Sequence, residues 1–118
     1  MSEPSRLRVT DDDGITRIEF VDRNILDEAN IRQIGEEIGQ LIEERETPRM
    51  LISFDNVDHM SSAALGALIT INNKIKAKSG QLRLSDIDEQ IYQVFVITKL
   101  YKLFDIDDNS EQGMAAFT

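Results

Sequence analysis

The segment from Met50 to Asp86 carries three successive periodic patterns, which together constrain the fold more than any other feature of the chain. In "MLISFD", the apolar residues Met50, Ile52 and Phe54 recur at every second position. This is the period of a strand with one buried face. "QLRLSD", which begins at Gln81, alternates in the same way. Between the two strands, apolar residues recur at helical spacing, at Leu65, Leu68, Ile69 and Ile75. This order predicts two parallel strands joined by a right-handed helical crossover.

The flanking sequence continues the alternation. A β-hairpin is predicted for "LRVTDDDGITRIEFV", and an amphipathic helix for Asp27 to Glu44 with Asp27 as its cap. Gly80 is expected to end the central helix. A helix from Glu89 to about Thr98, a strand at "LFDI" and a short helix at "SEQGMAAF" follow. The predicted order is ββαβαβαβα. The fold class is α/β: a mixed sheet of four to five strands, antiparallel in the first hairpin and parallel elsewhere, with about four helices mainly on one face. The other side of the strands is expected to be polar.

Composition narrows the possible functions. The 118 residues, 41% hydrophobic and 30% charged, predict a single globular domain over residues 1–118. Without cysteine the chain has no disulfide and no thiolate nucleophile or metal ligand. A net charge of −9 disfavours binding to nucleic acid or to an anionic membrane surface, and favours a protein partner or a small ligand. No apolar run approaches the length of a membrane span, so we expect a cytoplasmic protein. The polar outer sides of the strands favour a protein that is a monomer when free.

Two adjacent serines open the central helix. Ser61 is the better N-terminal cap, because its hydroxyl can accept from backbone N–H groups two or three residues later. Ser62 then occupies the first helical position with its hydroxyl free. The pair lies at the carboxyl ends of the parallel strands, where open α/β sheets place functional sites. No Arg or Lys lies near Ser62 in sequence, whereas Asp58 is close. We therefore expect an acidic rim around Ser62.

Four segments, in this order and spacing, resemble the STAS domain family, and most closely the small single-domain bacterial anti-sigma-factor antagonists. They are "ILDEANIRQI" from Ile25, "FDNVDHMSSAALGAL" from Phe54, "KSGQLRLSDI" from Lys78 and "LYKLFDI" from Leu100. The resemblance covers nearly the whole chain. It implies a two-layer STAS fold and a binding protein without catalytic residues, cofactor or metal.

The resemblance also implies a phospho-switch. In these antagonists the first serine of an Asp-Ser-Ser-Gly-Leu-Gly motif is phosphorylated by a serine kinase that is also the anti-sigma factor. Alignment on Leu65 and Gly66 places that serine at Ser62. The family aspartate becomes Ser61, the second serine Ala63 and the first glycine Ala64. The Ala64 methyl is expected to lie where a partner would approach the backbone. The implied partner-binding residues are Asp27, Asp58, Ser61, Ser62 and Ala63.

Other interpretations remain open at this stage. The departures from the motif allow a STAS scaffold module that has lost the switch. His59 lies three residues before Ser62, the arrangement of a base and a nucleophile, although no oxyanion glycines accompany it. The acidic runs at residues 11–13 and 105–108 offer oxygen atoms for calcium but lack the ligand spacing of a calcium loop. We interpret these runs as solvated, and His59 as a solvated or packing residue.

Overall fold

The computed structural model describes residues 7–117. In this part of the chain, strands and helices follow one another largely as predicted. The strands are β1 (Leu7–Asp12), β2 (Ile15–Phe20), β3 (Asn24–Ile25), β4 (Arg49–Ser53), β5 (His59–Met60), β6 (Gln81–Ser85) and β7 (Asp105–Asp107). The helices are α1 (Glu28–Glu43), α2 (Ser62–Ala77), α3 (Glu89–Ile97) and α4 (Ser110–Ala116), with a 3₁₀ turn at Leu100–Lys102.

Five strands form the main sheet in the order β1-β2-β4-β6-β7. The first pair, β1 and β2, is antiparallel, and every other neighbouring pair is parallel. The register places Ile18, Ile52, Leu84 and Ile106 opposite one another across four strands. The predicted mixed sheet is confirmed.

Three helices cover one face of this sheet and form the main core with it. Ile38 of α1, Ile75 of α2 and Phe95 of α3 are completely buried, together with Ile18 and Ile52 of the sheet. All three helices begin at the carboxyl ends of the strands, because each follows a strand of a parallel crossover. Their N-termini therefore lie at one end of the molecule.

The short helix α4 lies on the opposite face. Its Gly113 packs against Leu51, which alternates with the core residues of β4, and an added Cβ atom would lie 2.8 Å from Leu51 Cδ1. Leu51 and Ser53 are consequently buried as well. The expectation of a polar second side is therefore wrong for β4, because α4 returns over it. The prediction of helices mainly on one face holds for α1, α2 and α3.

The central helix ends at Ala77, three residues before Gly80. Ser79 takes the left-handed conformation with φ of 58°, and the Gly80 N–H donates to the Ile75 carbonyl at 2.9 Å. This is a Schellman motif, with serine where glycine is usual. Gly80 is required for a different reason: there is no room for a side chain at this position, because a Cβ atom would collide with the carbonyl of Pro48.

Two strands were not predicted. Asn24 pairs with His59 and Ile25 with Met60, so β3 and β5 form a separate parallel sheet of two residues each. A two-residue strand is too short to show a period in sequence. This small sheet joins the segment before α1 to the segment before α2, and it is what positions the candidate site.

Candidate functional site

The candidate site is centred on the first residues of α2. Ser61 has extended backbone dihedrals and is the N-cap, and its Oγ accepts from the Ala64 N–H at 3.3 Å. Ser62 is the first helical residue, and its side chain is exposed beside that of Ala63. Within residues 7–117 no hydrogen bond engages the Ser62 hydroxyl. The predicted division, in which Ser61 caps the helix and Ser62 keeps a free hydroxyl, is confirmed.

The side chain of Ala64 does not point where the sequence analysis expected. Its side chain is only 4% exposed and belongs to the main core. The methyl group that replaces the family glycine therefore points into the molecule. The expectation that this methyl meets an approaching partner is wrong, because the third residue of the helix turns toward the sheet. Of the three motif departures, only those at Ser61 and Ala63 affect the surface.

Backbone hydrogen bonds of the β3–β5 sheet hold two distant segments together at this rim. The Ser61 N–H donates to the Ile25 carbonyl at 3.0 Å, and the Asp58 N–H donates to the Arg23 carbonyl at 2.7 Å. Ile25 is buried and lies two residues before Asp27. The structure thus brings the loop that carries Asp27 beside the start of α2.

Asp27 caps α1 as predicted. Its Oδ1 accepts from the Ala29 N–H at 2.8 Å, and the side chain is exposed. Asp88 caps α3 in the same manner, with Oδ2 accepting from the Gln90 N–H at 3.3 Å. Three helix N-termini, each with a partial positive charge, are therefore presented at this end of the sheet.

The rim also contains a cation that sequence reasoning missed. Arg23 Nε donates to Asp58 Oδ2 at 2.9 Å, with side-chain exposures of 66% and 51%. The expected acidic rim is therefore partly neutralised, and the carboxylate of Asp58 already has a partner. Because 35 residues separate the two, no local spacing signals the pair. Only the β3–β5 pairing brings them together.

His59 lies on β5 with its side chain exposed. It borders a groove between α2 and α3 together with Met60, Leu65 and Val94. In the described residues no hydrogen bond joins the imidazole to Ser62 Oγ. The geometry thus gives no support to activation of Ser62 as a nucleophile.

The acidic runs have structural contacts. Asp11 Oδ1 accepts from Arg45 at 3.0 Å and from Thr16 at 3.1 Å. Asp107 accepts two hydrogen bonds from Arg83, at 2.7 and 3.1 Å. Across residues 7–117, no group of three or more His, Asp or Glu side chains is arranged to hold a metal ion. Over the same range, none of the helices has the length and apolar character that crossing a membrane requires.

Comparison with known proteins agrees with this architecture. The model of the STAS domain family matches residues 7–113. The chain is 32% identical over 63 residues to the anti-sigma-B factor antagonist of Bacillus subtilis, an alignment covering 53% of this chain and 58% of that protein. It also resembles the solved anti-sigma-factor antagonist (STAS) domain protein from Planctomyces limnophilus, with a TM-score of 0.84, 20% identity, and coverage of 93% and 96%.

A second solved structure is the Bacillus cell fate determinant SpoIIAA in its phosphorylated form. It matches with a TM-score of 0.69 and 15% identity, and the match covers 92% of this chain and 96% of that one. The family model spans nearly all of the chain, and the strand order and helix placement fit it. This protein belongs to the STAS domain family.

Proposed function

We propose that this chain is an anti-sigma-factor antagonist, a non-catalytic protein that binds a serine-kinase anti-sigma factor and is released when Ser62 is phosphorylated. The observation that carries the proposal is the exposed Ser62 hydroxyl at the first position of α2, which makes no hydrogen bond to any residue that the structure describes. The names of the relatives support the antagonist role. The phosphorylated form of SpoIIAA supports a switch in a protein of this fold.

The helix is well suited to a phosphate at Ser62. The first turns of α1, α3 and α4 each contain a glutamate, whereas the first turn of α2 contains no acidic residue. A phosphate adds about −1.5 to −2 charge, which the positive end of the helix dipole stabilises. We therefore expect the phosphorylated domain to stay folded. The effect falls on the partner, because Arg23 is already paired with Asp58, and a dianion in an interface without a free cation is strongly unfavourable.

The proposed docking surface consists of Asp27, Asp58, Ser61, Ser62 and Ala63. These residues come from the loop before α1, the loop before α2 and the first turn of α2, and the β3–β5 sheet holds the two loops together. Small side chains at residues 61–63 let a partner approach the helix N-terminus closely. The carboxylate of Asp27 and the Arg23–Asp58 pair supply charged contacts on one side of that approach.

The proposal is tested with tagged wild-type protein and with Ser62→Ala, Ser62→Asp and Ser61→Ala variants, used to isolate partners from the source cell. We expect wild type and Ser62→Ala to retain a serine kinase and Ser62→Asp to release it. With the isolated kinase and labelled ATP, Ser61→Ala should incorporate phosphate and Ser62→Ala should not. Circular dichroism of Ser62→Asp should match that of wild type.

Two results would contradict the switch: phosphate uptake that persists in Ser62→Ala, or kinase binding by Ser62→Asp that is as tight as wild type. The second result, without phosphate uptake in wild type, favours a STAS scaffold module that has lost the switch. The neutral Ser61 in place of the family aspartate is the feature that favours this alternative. In either case we propose a cytoplasmic protein that is monomeric when free and binds neither nucleic acid nor membrane.

A further inference from the structure

A cleft of about 670 Å³ lies between the sheet and the end of α4, on the face opposite α1, α2 and α3. Its floor includes Ile15 and Arg17 of β2 and Arg49 of β4, and its apolar wall is formed by Met114 and Phe117. Arg49 begins β4, whereas Ser62 follows the other end of that strand. The cleft is therefore remote from the Ser62 rim and shares no residue with the proposed docking surface.

The two floor arginines point to the same side of the sheet. Thr16 pairs with Met50 on adjacent parallel strands, and both are buried toward the helices. The alternation of side chains along a strand puts Arg17 and Arg49 on the opposite face. The cleft therefore receives guanidinium groups from two neighbouring strands.

Neither arginine has an anionic partner. Within residues 7–117, no carboxylate lies within ion-pair distance of Arg17 or Arg49, although both are half-buried. The Nε atom of Arg49 is fully buried and makes no hydrogen bond. The Arg49 guanidinium lies over the Phe117 ring, 5.6 Å from its centroid. An unsatisfied buried donor on a charged group is unfavourable, and few native groups remain so without a ligand or a functional role.

We propose that this cleft binds a small monocarboxylate with an apolar or aromatic body. A carboxylate accepts two hydrogen bonds from a guanidinium in a planar pair, so Arg49 and Arg17 can hold it on the floor. Ile15, Met114 and Phe117 then bury the apolar body. A volume of this size is typical of small-molecule sites.

The charges around the cleft select this class over a more highly charged anion. Asp12, Asp13 and Glu111 also line it, at the hairpin turn and on α4. They would repel a phosphate dianion, whereas a single carboxylate between two guanidinium groups is compensated locally. The three carboxylates also disfavour a long polyanion such as nucleic acid.

The test is a titration of the full chain with benzoate, in which binding is monitored through the Nε–Hε NMR signal of Arg49. We expect a saturable shift with a dissociation constant on the order of 1 mM, as fits a ligand of this size. Benzamide, the neutral isostere, and inorganic phosphate should give no saturable shift. A wild-type protein that benzoate does not shift, or that benzamide shifts equally, would overturn the proposal.

Variants locate the site. Because Arg49→Met removes the Arg49 signal, benzoate binding to wild type and to every variant is compared by calorimetry. Arg49→Met and Arg17→Met should each weaken binding about tenfold. Arg32→Met, which removes an exposed arginine of α1, should bind as wild type does.

Arg49→Met should melt no lower than wild type, because it removes an unsatisfied donor. If the variant fails to fold, Arg49→Lys is used, and it should also weaken binding since lysine cannot form the planar pair. Unchanged affinity in these variants contradicts the proposal.

Discussion

At the scale of single residues, the surface around the start of α2 combines two side chains that cap helices with one that makes no capping hydrogen bond. Asp27 and Ser61 each accept a backbone hydrogen bond at the start of a helix, while Ser62 is left free. Each cap fixes the conformation of its loop and occupies one side-chain oxygen in a hydrogen bond to the backbone. A residue in such a position can serve the fold and a partner together, and substitutions can separate the two roles.

The first prediction separates the charge of Asp27 from its capping role. Asp27→Asn should keep stability near wild type, because asparagine caps as well as aspartate, but should weaken binding to the isolated kinase. Asp27→Ala should lose both the charge and about 0.5 to 2 kcal/mol of stability. Thermal melts and partner titrations are run side by side.

The matched control is Asp88→Asn on α3, whose carboxylate has the same capping geometry. It should leave both stability and kinase affinity near wild type. If Asp27→Asn binds the kinase with unchanged affinity, the aspartate is only a cap and does not belong to the proposed docking surface.

The second prediction concerns Ser61. Ser61→Ala should lower the free energy of unfolding by about 1 kcal/mol, since it removes the cap of α2. Ser62→Ala should have a smaller effect, because its hydroxyl has no partner to lose. Urea unfolding of both variants measures the difference, and equal losses would show that the capping assignment is wrong.

At the scale of elements, the ends of helices are tied to one another by long-range contacts. The clearest is Lys78, just beyond α2, whose Nζ donates to the carbonyls of Ile42 at 3.0 Å, Glu43 at 3.0 Å and Arg45 at 2.7 Å. These carbonyls belong to the C-terminus of α1, where helical partners run out. The contact fixes α1 against α2, and hence the relative position of the two N-termini at the rim.

The third prediction is therefore that Lys78→Met lowers the free energy of unfolding by about 1 to 3 kcal/mol, because several hydrogen bonds from one charged group are lost. Lys76→Met is the control, since it removes an exposed lysine from the same end of α2. Chemical denaturation should separate the two variants. Equal stabilities would show that the three carbonyls are satisfied by water instead.

At the largest scale, the shortest ion pairs among residues 7–117 join segments that are far apart in the chain. Asp11 of β1 pairs with Arg45 beyond α1, and Arg83 of β6 pairs with Asp107 of β7. The hydrogen bond from Arg45, followed by that from Thr16, lowers the pKa of Asp11 below its ordinary value of 3.8. The hydrogen bonds that Arg83 donates to Asp107 raise the pKa of Arg83 above its ordinary value.

The fourth prediction follows from Asp11. A lowered folded-state pKa means that the pair stabilises the fold above the ordinary carboxyl pKa, and that this contribution is lost as pH falls through the folded value. Asp11→Asn should thus be less stable than wild type at pH 7, and the difference should shrink as pH falls below the ordinary carboxyl pKa of 3.8. Urea unfolding across this range measures it.

Because Asp11 is exposed, the difference should be small and should shrink in high salt. Asp12→Asn, in the same strand, serves as the control and should show a smaller pH-dependent difference. A gap between wild type and Asp11→Asn that is constant with pH would mean that the substitution acts through packing.

Local sequence patterns were sufficient to predict the order of the long elements, the mixed sheet and the capping roles of Asp27 and Ser61. These depend on local periodicity and on hydrogen bonds between near neighbours, which a sequence records directly. The pairing of Arg23 with Asp58 and the return of α4 over the second face became visible only in the folded molecule. These features depend on segments far apart in the chain, whose pairing is set by packing of the whole core and leaves no local period.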